Sequence, residues 1–295
     1  MADSRERIVT VTCETGVDIG DSDTTLASIT LTKHHGLGND FLIAVDPPPD
    51  LGPEDARAWC DRRRGVGADG LIAARRNGED PAAWTMTLWN PDGSRAELSG
   101  NGLRCLGQAL VIHHDDGGLT KRYHIETDGG VRDVEVFLDR DSDTYGVTVD
   151  MGQPGPGPDP YDRWGSLGVA VERQVGVDIG NPHLVAVVPD PEAVDLGAVG
   201  PAVEAAYPDG INVELIRVVD RSSISLRVWE RGAGLTEACG SGACAAVWAA
   251  NRWDLVDDCV DVGMPGGPAT IELVAGGVFL TGPATFVAVV EIERR

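Results

Sequence analysis

Lysine is almost missing from this chain: Lys33 and Lys121 are the only two, against 47 acidic residues and a net charge of −23 over 295 residues. A surface with that excess of carboxylates repels nucleic acid and anionic membranes, so neither is an expected partner. It fits a cytoplasmic protein adapted to high salt, where solvated carboxylates keep the chain soluble and a short Debye length mutes self-repulsion. Scarce lysine also restricts pyridoxal phosphate chemistry, because only Lys33 or Lys121 could form the Schiff base. Neither is followed by a GxGxxG or GxxxxGK phosphate loop at a strand-to-helix turn. Metal-ligand clusters are missing too. The six cysteines (Cys13, Cys60, Cys105, Cys239, Cys244 and Cys259) include no CxxC pair and no Cys/His group at ligand spacing. No metal and no cofactor are therefore expected, and the thiols should stay free in a reducing compartment. No run of about 18 apolar residues occurs, and the first thirty residues have no apolar signal-peptide core, so a cytoplasmic location is expected.

What the chain does contain is enough apolar material, 42%, for two domains with a core each, and an internal repeat. WNPDGSRAELSGNG at Trp89–Gly102 lies 140 residues before WERGAGLTEACGSG at Trp229–Gly242, with Trp, Glu, Gly and Gly in register. GNDFL at Gly38–Leu42 precedes GNPHL at Gly180–Leu184 by 142. Two matches at nearly one offset imply two halves of the same topology. Ser223–Trp229 alternates with period two, as do parts of Val131–Leu138 and Tyr145–Met151, which predicts antiparallel, half-buried strands. Leu103, Leu106, Leu110 and Val111 have helical spacing, and Ala243–Trp253 is apolar on nearly every side, as a buried helix would be. The expected fold is therefore α/β (α+β): two pseudo-symmetric domains, each an antiparallel sheet or barrel wrapped around a central helix, with the active site in the cleft between them. Residues 1–29, acidic and rich in Ser, Thr and Asp, read as an N-terminal extension. The first half spans 30–145, with 285–295 a candidate to complete it, and the second spans 146–284. The QPGPGPDP stretch at Gln153–Pro160 is either a hinge or a loop just inside the second half.

Each Gly-rich turn opens a helix, so a side chain just before it meets unpaired backbone N–H groups and the positive end of the helix dipole. That environment is expected to lower the Cys239 thiol from about 8.5 toward neutrality and make it a usable base. The glycines let backbone approach a substrate carboxylate closely. Cys60, Cys105, Cys244 and Cys259 read as buried small hydrophobes. Two such turns facing each other would place one group on each side of a bound α-carbon, the arrangement a two-base epimerisation requires.

In order along the chain stand KHHGLGNDF (Lys33–Phe41), RGVGADGLI (Arg64–Ile72), NPDGS (Asn90–Ser94), SGNGLR (Ser99–Arg104), GNPH (Gly180–His183), GINVE (Gly210–Glu214), ERGAG (Glu230–Gly234) and ACGSGA (Ala238–Ala243). This set resembles the diaminopimelate epimerase family from about Leu31 to the end. The resemblance implies conversion of LL- to meso-diaminopimelate in lysine biosynthesis, without pyridoxal phosphate, by two opposed cysteines. It implies that Asn39, Asn90, Asn181 and Asn212 hydrogen-bond the substrate and that Glu230 and Arg231 read its distal end. Gly100, Asn101, Gly240 and Ser241 would hold the proximal carboxylate. His183 and Glu230 would assist proton transfer at the two catalytic positions. The partner implied is a small amino acid, and a homodimer is one option for assembly.

The family places its first catalytic cysteine where this chain has Ser99. A serine hydroxyl is a far weaker acid than a thiol and stays protonated at neutral pH. Cys105 cannot replace it, since six residues of helix carry it about 9 Å away. Four readings stay open. The chain is a slow or direction-biased epimerase with Cys239 as base and Ser99 or a water opposite; or it uses one base for elimination from a hydroxylated amino acid, as in the related proline racemase group; or it binds an amino acid without turnover; or Ser99 is an introduced inactivating residue. A periplasmic-type binding module is a further alternative, disfavoured by the missing signal peptide and by Cys239 at its helix start.

Overall fold

The two Gly-rich turns sit at matching places in two copies of one strand and helix order. The computed structural model describes residues 28–114, 120–139 and 144–293. The expected extension over 1–29 thus lies outside the described residues, apart from Ser28 and Ile29, which are already in a strand. The first copy runs β1 (Ser28–Gly36), β2 (Asn39–Val45), α1 (Pro53–Trp59), β3 (Gly70–Arg76), β4 (Ala83–Trp89), β5 (Arg95–Ala96), α2 (Gly100–His114), β6 (Thr120–Thr127), β7 (Gly130–Asp139) and β8 (Thr144–Asp150). A short β9 (Gly155–Pro156) follows. The second copy runs β10 (Arg173–Asp178), β11 (Pro182–Val187), α3 (Leu196–Glu204), β12 (Asn212–Asp220), β13 (Ser223–Glu230), β14 (Gly234–Thr236), α4 (Gly240–Arg252), β15 (Cys259–Met264), β16 (Gly267–Val274) and β17 (Gly277–Glu293).

Strand pairing repeats as well. Each copy has a hairpin (β1–β2, β10–β11) and a helical crossover to a parallel neighbour (β2–β3, β11–β12), and each returns to a second parallel contact (β4–β6, β13–β15). The sheets are therefore mixed rather than purely antiparallel. Of the parallel pairs, β2 and β3 are buried on both sides, by α2 within and by α1 with Trp59 outside. β13 alternates in burial, as its period-two sequence predicts. In the first copy β1, β2, β3, β4, β6, β7 and β8 close into a barrel through β17, whose residues 279–284 pair with β8 and 285–293 with β1. β9, within the Pro/Gly stretch, pairs with Val177 and Asp178 of β10 at the edge of the second half.

The helices fill these shells. Residues Gly100 through Leu110 of α2 are buried without a break, and α4 is buried from Gly240 through Val247. Their first turns meet: a methyl group added at Gly240 would lie 3.2 Å from the Gly100 backbone and 2.7 Å from Leu280. A side chain at Gly240 would press on the Gly100 backbone, and one at Gly100 would collide with Leu280 and Met151. The β1–β2 hairpin turns on Leu37 and Gly38, both at positive φ (55° and 88°), as a tight two-residue turn demands. Of the cysteines, Cys60, Cys105 and Cys244 are buried, whereas Cys259 is exposed. That corrects the expectation for Cys259: it opens β15, whose outward positions alternate with the core-facing Val260 and Val262. No helix among the described residues is long and apolar enough to cross a membrane.

Candidate active site

The facing helix starts floor a cleft of about 720 Å³. Every site residue singled out from the sequence lines it, with one exception: His183 is wholly buried behind the wall. Ser99 and Cys239 occupy equivalent posts. The Ser99 Oγ accepts the Gly102 N–H at 3.0 Å, and the Cys239 Sγ accepts the Gly242 N–H at 3.3 Å, so each side chain caps its own helix. The N–H groups of the turn residues between have no partner inside the helix and remain for an anion.

The surroundings of Cys239 reverse one expectation. Burial pushes its thiol well above the ordinary 9.0, the charges of Glu230 and then Glu214 push it further, and the Ser241 hydroxyl and Gly242 N–H oppose them only in part. A helix N-terminus stabilises an anion by about 0.3–1 kcal/mol, up to about 2 when partly buried. Removing a charge from water costs several kcal/mol, so desolvation wins. Burial also raises the Glu230 carboxyl, against hydrogen bonds from Thr236 and with Cys239. Cys239 is thus held as a thiol hydrogen-bonded to the Glu230 carboxyl, whose own pKa lies above its ordinary value.

His183 is held at both ring nitrogens, Nδ1 against Glu214 Oε1 at 2.7 Å and Nε2 against Asn181 Oδ1 at 2.9 Å. Asn181 in turn reaches the Ser241 hydroxyl at 3.5 Å, and Ser241 reaches Cys239 Sγ at 3.5 Å. This chain of contacts puts His183 on the Cys239 side of the site. Glu214 is the residue that sequence reasoning passed over. It stands two positions after Asn212 on the same face of β12, is fully buried, and leaves Oε2 unpaired. A carboxylate inside the otherwise apolar run Val213–Ile216 was the signal available.

At the outer end, the Asn212 amide accepts the Arg231 N–H at 2.9 Å and donates to the Pro182 carbonyl at 2.8 Å. The Arg231 guanidinium bridges the cleft to Glu97 at 3.1 Å and reaches the Asp209 carbonyl. Asn90 donates to Ser94 at 3.0 Å on the rim. Asn39 donates to Asp69 at 2.8 Å and accepts from Asn101 at 3.0 Å. Lys33 is engaged with Asp40 and the Gly67 carbonyl, and neither lysine lines the cleft.

Two halves of one topology, with paired helix starts facing a cleft, define a class of fold seen in solved epimerases and their relatives. A hydroxyproline epimerase from Agrobacterium vitis superposes with a TM-score of 0.69 at 16% identity, covering 90% of this chain and 91% of that one. A phenazine biosynthesis protein of the PhzF family from Bacillus anthracis gives 0.69 at 14%, covering 90% and 99%. The family model for diaminopimelate epimerase matches residues 31–155 and 175–287. Diaminopimelate epimerases of Magnetococcus marinus (41% identity, 86% of this chain and 93% of that one) and Cyanothece sp. (42%, 87% and 97%) align over nearly the whole described chain. So does that of Neisseria meningitidis (39%, 87% and 95%). The chain belongs to the diaminopimelate epimerase family.

Proposed function

We propose that the protein converts LL-diaminopimelate to the meso isomer in lysine biosynthesis, by α-proton transfer without pyridoxal phosphate, in a salt-adapted cytoplasm. The observation that carries this is Cys239 at a helix start, hydrogen-bonded to Glu230 and facing Ser99's helix across one cleft. The α-carboxylate would sit on the N–H groups of Gly100, Asn101, Gly240 and Ser241. The distal carboxylate would take Arg231, whose fork suits bidentate pairing, with Asn90, Asn181 and Asn212 nearby. The substrate's α-ammonium supplies a positive counter-charge beside the Cys239 thiol. Glu230 then receives the thiol proton, and the Cys239 thiolate removes the α-proton from one face. Helix-start N–H groups steady the charge that develops on the carboxylate. On the opposite face, Ser99 or a water it holds is a poor acid and a worse base. The reaction therefore runs with one strong group and one weak one.

The test is α-proton exchange of LL- and meso-diaminopimelate in D₂O at high salt. Rapid exchange of one isomer and slow exchange of the other is expected, and Cys239→Ala should abolish both. Tight binding with no exchange would overturn the enzymatic reading. Loss of water from a hydroxylated amino acid, with no epimerisation, would favour single-base elimination.

A further inference from the structure

Arg104, on the second turn of α2, is wholly buried, and no carboxylate pairs with it among the described residues. Its Nη2 donates to Asn101 Oδ1 at 2.5 Å, its Nη1 donates to the Pro283 carbonyl at 3.1 Å, and its Nε has no partner. Gly36 and Gly282 make room for it: a methyl group added at Gly282 would overlap the guanidinium. Burying a guanidinium with no counter-ion costs far more than two hydrogen bonds return, so Arg104 is not a core filler.

The role lies in what Asn101 does with its other end. The Asn101 amide nitrogen donates to Asn39 Oδ1 at 3.0 Å and to the carbonyl of Ala238 at 2.8 Å. Ala238 immediately precedes Cys239 and belongs to the other half of the chain. Asn101 is therefore a bolt from the first turn of α2 to the Cys239 turn. In the repeat its counterpart is Ser241, and that of Arg104 is Cys244, so only the serine-bearing half supplies this link. We propose that Arg104 is a positioning residue: by donating to Asn101 Oδ1 it fixes the amide with its NH₂ toward Ala238 and Asn39, which holds the Cys239 turn in register with the opposite half. Donation from a cation also polarises the amide and strengthens its two outgoing bonds. The side chain of Asn101 is then fully committed, and the residue meets substrate through its backbone N–H. The effect on turnover rests on the epimerase reading; the effect on the turn does not.

The experiment compares Arg104→Met, Arg104→Lys, Asn101→Asp and a cavity control on the same helix, Leu106→Ala. Each is read for Tm, for kcat and KM of α-proton exchange, and for amide hydrogen exchange of residues 236–242. Arg104→Met should lower kcat about 100-fold with KM within about threefold, the cost of a misplaced group, and should deprotect 236–242. Leu106→Ala should do neither beyond its loss of Tm. Arg104→Lys, which keeps the charge and can reach Asn101 but lacks the fork that also spans to Pro283, should recover about tenfold of kcat. Asn101→Asp pairs directly with Arg104, so it should keep or raise Tm. It nonetheless turns an acceptor toward Ala238 and Asn39, and should lose both protection and kcat even if Arg104→Met fails to fold. Unchanged protection of 236–242 in Asn101→Asp and in folded Arg104→Met would overturn the proposal. If wild-type protein shows no turnover, the exchange arm still decides it.

Discussion

Replacing Glu214 by Gln probes why the Cys239 thiol is held protonated. A methyl group built on Gly242 would lie 2.7 Å from Glu214 Oε1 and 3.2 Å from Cys239 Sγ, so the two atoms are within about 6 Å. At an effective dielectric of about 20, a carboxylate at that distance disfavours a thiolate by roughly 3 kcal/mol. The hydrogen bond to His183 at 2.7 Å draws off part of the carboxylate charge; halving the figure leaves about 1.4 kcal/mol, or about tenfold in thiolate population. Gln preserves the shape and the contact with His183. The assay is alkylation of Cys239 by iodoacetamide between pH 7 and 10, with Cys13 and Cys259 both replaced by Ser so that the remaining cysteines, Cys60, Cys105, Cys239 and Cys244, are all buried. Glu214→Gln should accelerate Cys239 alkylation about tenfold across the lower part of that range. An equal or slower rate in a variant of unchanged Tm would show that Glu214 has no electrostatic hold on the thiol, leaving burial and Glu230 as the cause.

Arg231→Met should raise KM for diaminopimelate at least about 100-fold, the loss of a bidentate carboxylate contact. The Glu97→Gln variant should change stability by less than about 1 kcal/mol, since the pair spans a solvated rim, and lower KM by no more than about fivefold by freeing Arg231; steady-state kinetics checks both. His34, buried against Gln108 and Phe286, has its pKa lowered from 6.5 to about 4 by burial. Its contribution is complete above pH 6.5 and is lost as pH falls toward 4, about 3 kcal/mol in all. Urea unfolding should show that dependence flattened in His34→Asn. Glu230, raised above 4.5, has the opposite sign and loses stability as pH rises, so the comparison with the variant, rather than the wild-type curve alone, isolates His34.

The doubled architecture was legible because Trp89–Gly102 and Trp229–Gly242 repeat a strand end, a turn and a helix start, and the hairpin residues Gly38 and Asn39 repeat with them as Gly180 and Asn181. The parallel contacts were not. Phe41–Val45 and Leu71–Ala74 are short apolar runs without alternation, and such runs fit a strand buried on both faces or a helix equally well. β17 carries no local mark of where it leaves β16 for β1, since a strand's partner is a tertiary choice. In the site, the turns placed Ser99, Cys239 and their glycines by repetition alone. The state of the thiol could not be read that way. It depends on how deeply Cys239 is buried and on Glu214 and Glu230 converging from β12 and β13, distances that no spacing in the sequence encodes. Arg104 was hidden for a similar reason: its partners Pro283 and, through Asn101, Ala238 lie 179 and 137 residues away along the respective bonds.

The central claim is that one face of the cleft has a competent acid–base group and the other does not. Ser99→Cys tests it most directly, by α-proton exchange of each diaminopimelate isomer in D₂O at high salt. The slowly exchanging isomer should gain about 100-fold or more, the usual worth of a positioned general acid or base, while the fast isomer stays within about threefold. No gain for the slow isomer, with Tm and substrate affinity unchanged, would contradict the account.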